Sequence, residues 1–191
     1  MKASRSRLSL RHALGGLHAG IVGALIMLVF LMAGSILDRR SIWVVPNLFA
    51  STFFGSDAYV DRYVHTTWSG LALLMAIYGG LGTIWGCVWR DESRPWLTFY
   101  GGVFGLAVYF VFFDFVWKRA DPLMTLYAPD RQLELGHIIW GMMLARSPRY
   151  ARAIAGRVSD TVQFIGQGVD QFTEQPTEQP ALIQDAGEAV K

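Results

Sequence analysis

The chain has 191 residues, of which 52% are hydrophobic and 14% aromatic, and its formal net charge is +2. The apolar residues are concentrated in long runs, which predicts membrane spans and excludes one large aqueous core. The small charge gives no reason to expect a nucleic-acid partner, and the single cysteine, Cys87, excludes an internal disulfide and a cysteine-based metal cluster.

The first apolar run covers residues 14–37 and follows a basic segment, 1–13. It is longer than the roughly 7 to 15 residues of a signal-peptide core, so we predict an uncleaved first span with 1–13 in the cytoplasm. Gly16, Gly20 and Gly23 recur on one side of this run at helical spacing. Small residues at this spacing indicate a face on which another helix packs closely.

Residues 42–55 form an apolar segment that is too short to cross a bilayer and is interrupted by Pro46. We predict that it lies in the outer membrane interface as a short helix. A re-entrant segment that lines a cavity is the alternative.

Two longer apolar runs, 65–89 and 96–117, are separated by the polar residues 90–95. At about 1.5 Å per residue each run exceeds the roughly 30 Å hydrocarbon core of a bilayer, so the pair predicts a transmembrane hairpin. Each run carries small residues on one face, which we predict to be packing residues. They are Ala72, Ala76, Gly79 and Gly86 in the second span, and Gly101 and Gly105 in the third.

A fourth span is predicted at about 130–146, although its apolar part is short. If it crosses, ten Lys and Arg residues before Lys191 lie on the inner side and six on the outer side; if it does not, these numbers are inverted. The positive-inside tendency therefore favours four spans with both termini in the cytoplasm of a bacterial inner membrane.

An amphipathic cytoplasmic helix is predicted at 148–172, because apolar residues recur there at spacings of three and four. A disordered tail is predicted at 173–191, where Thr-Glu-Gln-Pro is repeated. The predicted fold is an all-α integral membrane four-helix bundle with an interfacial outer segment and this C-terminal helix.

Four ionisable residues in or beside the predicted spans are candidate functional groups, since such residues are costly in lipid. Asp114 and Glu134 are predicted to form a polar cluster in the outer leaflet, with His65 and His137 at a similar depth. The two histidines could ligate haem b or a (bacterio)chlorophyll. Alternatively, they bond to Glu134, Asp114 or backbone carbonyls and fix helix register.

Other sites are less favoured by the sequence. One Glu134-x-x-His137 motif is too few for a carboxylate-bridged metal site, which needs two. No Ser/His/Asp arrangement, Walker loop or dinucleotide fingerprint is present in the sequence, so we do not expect an enzyme.

Three pieces of the chain resemble the uncharacterised YagU-like family of bacterial four-helix inner-membrane proteins. They are the glycine-containing opening of the first span at 16–23, the segment 43–55 with Pro46, and Gly-His-Ile-Ile-Trp-Gly at 136–141. The resemblance implies a fold and a topology, because the role of the family is itself unclear.

We therefore predict a non-catalytic accessory subunit of a larger membrane complex, with lipid and other membrane subunits as partners. A respiratory or photosynthetic electron-transfer assembly is the predicted host. One alternative is a haem- or pigment-binding redox protein that uses His65 and His137. A second is a small transport or stress-related protein.

Overall fold

The computed structural model describes residues 2–89 and 96–173, and all regular structure in these ranges is helical, which confirms the predicted all-α class. In chain order the helices are α1 (Lys2–Leu37), α2 (Val44–Phe54), α3 (Thr67–Val88), α4 (Leu97–Val111), α5 (Lys118–Ala120), α6 (Pro122–Tyr127), α7 (Asp130–Leu144) and α8 (Ser147–Thr173). A 3₁₀ turn, Gly55–Ala58, follows α2, and a π-helix, Phe112–Trp117, joins α4 to α5.

Three helical stretches in the described ranges are long and apolar enough to cross a membrane: Leu10–Leu37, Thr67–Val88 and Leu97–Ala120. They coincide with the first three predicted spans. The fourth predicted span corresponds to α7, whose 15 residues extend only about 22 Å. The predicted turn at 90–95 and the tail from 174 onward lie outside the described residues.

Helices α1 and α3 pack closely and run antiparallel, and their contact is made by backbone. A Cβ atom added to Gly16 would meet the carbonyl oxygen of Gly82, and one added to Gly20 would meet that of Tyr78. No side chain larger than a hydrogen atom fits at these two positions without separating the helices. The predicted close approach on the glycine face of the first span is therefore present in the structure.

Helices α4 and α7 form a second antiparallel pair of the same kind. A Cβ atom on Gly101 would meet the carbonyl oxygen of Gly141, and one on Gly105 would meet that of His137. Helix α7 also lies against α1, where a Cβ atom on Gly23 would be 2.9 Å from Cδ1 of Trp140. The short helix α7 is therefore packed against both α1 and α4.

The predicted packing face of α3 is divided between two environments. Gly79 and Gly86 are buried against α1, whereas Ala72 and Ala76 are exposed. The half of α3 that carries the two alanines packs instead on α2, through Gly70 on another face. Ala72 and Ala76 are thus left open within the described residues, and their role as packing residues stays a prediction.

Helix α2 is buried by other helices over most of its length, and the location of 42–55 at the outer membrane interface stays a prediction. All eight residues of Val44–Ser51 are buried, whereas a helix at a surface keeps one face exposed. Only its end is open, at Phe53 and Phe54. Helix α2 is enclosed because it packs on α3, α6 and α1.

The chain divides into two compact units, Met1–Ala155 and Gly156–Lys191. In the second unit the structure describes the later part of α8, which covers most of the helix predicted at 148–172. Val158, Val162 and Ile165 recur there at spacings of four and three, and all three are exposed. This unit therefore presents an apolar stripe along α8, with Phe164 also exposed on another side of the helix.

Candidate functional site

His137 is fully buried near the middle of α7, and both nitrogens of its ring have partners. Nδ1 lies 2.7 Å from the carbonyl oxygen of Leu133, and Nε2 lies 2.7 Å from the hydroxyl of Tyr78. Because a carbonyl oxygen can only accept, Nδ1 carries the proton, and in the neutral imidazole Nε2 then accepts from the hydroxyl of Tyr78. The three groups form one directed chain from the tyrosine to the backbone of α7.

Aromatic side chains enclose this hydrogen-bonded chain. The rings of Tyr78, Tyr109 and Phe113 have centroids 5.4, 5.4 and 6.1 Å from that of His137. The indole of Trp140 packs 5.1 Å from Tyr78, and its Nε1 donates to the carbonyl oxygen of Gly20 at 3.1 Å. Buried hydrogen bonds therefore join α7 to both α3 and α1.

Sequence reasoning missed Tyr78, which lies near the middle of α3 and is 3% exposed. The sequence does carry a signal for it: a phenol hydroxyl in the middle of an apolar helix needs a hydrogen-bond partner. The position of that partner could not be read locally, because Tyr78 and His137 are 59 residues apart.

The structure does not bring His65 and His137 together. His65 is exposed in the segment before α3, and the rise along α3 from Thr67 to Tyr78 is about 16 Å. A bond from His137 Nε2 to a metal would also displace the hydroxyl of Tyr78. This geometry gives no support to haem b or (bacterio)chlorophyll ligation by the predicted pair.

Asp114 and Glu134, the predicted polar cluster, are not joined by a hydrogen bond in the part of the chain that the structure describes. Asp114 is exposed on the π-helix and forms an ion pair with Lys118, with 2.6 Å between Oδ1 and Nζ. Glu134 is half-buried on α7, one turn before His137, and its carboxylate makes no hydrogen bond within the described residues. Of the predicted histidine contacts, the backbone alternative is the one found, at Leu133.

The described residues contain no group of three or more His, Cys, Asp and Glu side chains that could hold a metal ion. What the buried pair does chemically is local: it satisfies two polar groups in apolar surroundings and fixes the register of α7 against α3. The pair ends on a backbone carbonyl and is enclosed by rings, so it has the character of a structural contact.

Comparison with protein-family models, curated proteins and solved structures found no match. The resemblance to the YagU-like family therefore stays a prediction. The fold defines the class: an all-helical protein with three helices that are long and apolar enough to cross a membrane.

Proposed function

We propose that this chain is an integral protein of a bacterial inner membrane, with α1, α3, α4 and α7 as a four-helix bundle and both termini in the cytoplasm. In this proposal it is a non-catalytic subunit that packs against another membrane protein. It binds its partner through helix surfaces and performs no reaction of its own.

The outer surfaces of α1, α3 and α4 support membrane embedding, because they carry large apolar side chains. Val29 is 67% exposed, Ile84 58% and Phe99 62%. Large apolar side chains exposed on several helices are the normal surface of a protein that faces lipid.

The path of α7 supports a fourth crossing despite its length. Near its start Gln132 lies beside Gly34, and just beyond its end Ser147 lies beside Gly15. Helix α7 and the residues after it therefore run antiparallel to α1 along most of the apolar part of α1. In this proposal, the bilayer that contains that part of α1 also contains α7.

One observation carries the subunit role: an open small-residue face on α3. We use this name for Ser69, Ala72, Ala76 and Gly80, which lie on one side of the helix. Beside the first three of them, an open groove of about 480 Å³ continues to Phe53 of α2. A Cβ atom on Gly80 would meet nothing within 4 Å, whereas the glycines of the α1–α3 contact lie against backbone.

Small residues confer little benefit against lipid chains but allow another helix to come close, which is how helices associate in a membrane. The α1–α3 contact within this chain illustrates that use. We infer that the open small-residue face receives an apolar transmembrane helix of a partner subunit.

A photocrosslinking amino acid, p-benzoylphenylalanine, placed at Gly80 in native membranes tests this proposal. We expect a discrete adduct heavier than the 21.3 kDa chain, and we expect Ala76→Leu to abolish it by filling the groove. The matched control is the same amino acid at Val29, an exposed position on α1 that should give no discrete adduct. Equal labelling at the two positions would contradict the proposal, and an adduct of twice the chain mass would indicate a second copy in place of a partner subunit.

A further inference from the structure

An open cavity of about 580 Å³ lies where α1 ends and the chain approaches α3. We call it the arginine cavity; it is lined by residues 39–41 and 59–62. Arg39, Arg40 and Arg62 contribute three positive charges and Asp61 one negative charge, which leaves a surplus of two positive charges. Such a concave and basic surface attracts anions.

The positive charge of the arginine cavity is not neutralised from within. Arg40 donates from Nη2 to the hydroxyl of Tyr59 at 2.9 Å and from Nη1 to the carbonyl oxygen of Tyr127 at 3.4 Å, both uncharged acceptors. Within residues 2–89 and 96–173, no carboxylate forms an ion pair with any of the three arginines. Two guanidinium groups, those of Arg39 and Arg62, remain available to a ligand.

The backbone at the end of α1 holds Arg39 in an unfavourable conformation. Its φ is 56°, in the left-handed region where glycine is usual. The N–H of Arg40 donates to the carbonyl oxygen of Ser35 at 2.8 Å, and that of Arg39 to Ile36 at 3.0 Å, as in a Schellman cap. A charged side chain therefore occupies a position where glycine would be less strained.

The other side of the cavity is held by a buried side chain of α2. Nδ2 of Asn47 donates to the carbonyl oxygens of Val60 and Arg62 at 2.7 and 2.9 Å. Its Oδ1 accepts from Oγ1 of Thr67 at 2.6 Å. Both sides of the cavity are thus fixed by hydrogen bonds, which lowers the ordering cost of binding a ligand.

We propose that the arginine cavity binds a phosphate group. Guanidinium groups donate paired hydrogen bonds that match phosphate oxygens, and the surplus of two positive charges can neutralise a mono- or dianion. The headgroup of an anionic phospholipid and free inorganic phosphate share this chemistry.

The surroundings favour the lipid, which is the part of the inference that rests on the proposed membrane embedding. The cavity lies near the C-terminal end of α1 and the N-terminal end of α3. Tyr63 and Trp68 are exposed beside it, and Nε1 of Trp68 donates a hydrogen bond to the hydroxyl of Tyr63 at 2.7 Å. Exposed tryptophan and tyrosine at helix ends are typical of the headgroup region.

The test compares two variants of the full-length purified protein in dodecyl maltoside. Arg39→Gly with Arg62→Gln removes two guanidinium groups, and the glycine suits the left-handed backbone, so the fold should be retained. Arg131→Gln, at an exposed position near the start of α7 and outside the cavity, is the matched control for loss of positive charge. Thermal unfolding midpoints are measured against inorganic phosphate and, separately, against phosphatidylglycerol, with phosphatidylcholine as the reference lipid.

We expect phosphatidylglycerol to raise the midpoint of the wild-type protein more than phosphatidylcholine does. The apparent dissociation constant for phosphatidylglycerol should be at least tenfold higher in the double variant and unchanged in Arg131→Gln. The same pattern with inorganic phosphate would support the site with a soluble anion as its ligand. Absence of both responses, or an equal loss in the two variants, would overturn the proposal. None of these outcomes depends on a partner subunit, so the two proposals fail independently.

Discussion

The hydrogen bond from Tyr78 to His137 joins two polar side chains that their aromatic surroundings cannot solvate. A buried acceptor that loses its donor destabilises the folded state by more than the net stabilisation that their hydrogen bond had provided. The contribution of this pair to stability should therefore appear when one partner alone is removed.

We predict that Tyr78→Phe destabilises the protein by about 1 to 2 kcal/mol, because Nε2 of His137 loses its donor. The measurement is the free energy of unfolding in mixed micelles titrated with sodium dodecyl sulfate. Tyr109→Phe is the matched control, since Tyr109 packs against the same ring but its hydroxyl makes no hydrogen bond within the described residues. Equal losses in the two variants would show that the hydroxyl of Tyr78 contributes nothing specific.

At the level of helices, the structure uses glycine in two distinct ways on α3. Gly82 lies against α1, where an added Cβ atom would come within 2.5 Å of the carbonyl oxygen of Gly16. A Cβ atom added to Gly80, two residues earlier, would have no neighbouring atom within 4 Å. The two positions share a helix and a residue type and differ only in what they face.

We predict that Gly82→Ala destabilises the isolated protein by about 1 to 3 kcal/mol, because the methyl group forces α1 and α3 apart. Gly80→Ala should be neutral or stabilising by up to about 1 kcal/mol, since alanine is the better helix former. The same titration in mixed micelles gives both values. Absence of a loss at Gly82 would contradict the close α1–α3 contact, and a loss at Gly80 as large as that at Gly82 would contradict the open position of Gly80.

For the whole molecule, the proposed topology depends on α7. Its buried residues alternate at spacings of three and one, so one side of the helix faces the interior; they are Leu133, Gly136, His137, Trp140, Gly141 and Leu144. Contact with α1 and α4 on that side compensates for a length below that of a typical span.

We predict that single cysteines introduced at Ser9 and Ala153 react with an impermeant maleimide only after spheroplasts are permeabilised. A cysteine at Ser56 should react in intact spheroplasts, because the chain between α1 and α3 is proposed to lie outside. All three are made in a Cys87→Ser background, which removes the native thiol. Labelling of the Ala153 position in intact spheroplasts would show that α7 does not cross.

The helical class and the positions of three long helices could be predicted from the chain alone, because hydrophobic length is a property of consecutive residues. The run at 14–37 and those at 65–89 and 96–117 needed no knowledge of their neighbours. The glycines of α1 could also be assigned to packing, since small residues at helical spacing have few other uses in lipid.

The contacts between helices could not be predicted from the sequence, because they depend on how each helix is rotated about its axis and where it crosses another helix. Ala72 and Gly79 share a periodic pattern, yet the fold leaves one exposed and buries the other. Expected depth alone pairs His137 with His65, whereas the packing of α7 between α1 and α4 places His137 against Tyr78. These contacts join residues that are far apart in the chain, so local composition and spacing do not indicate them. They form only when the helices pack together.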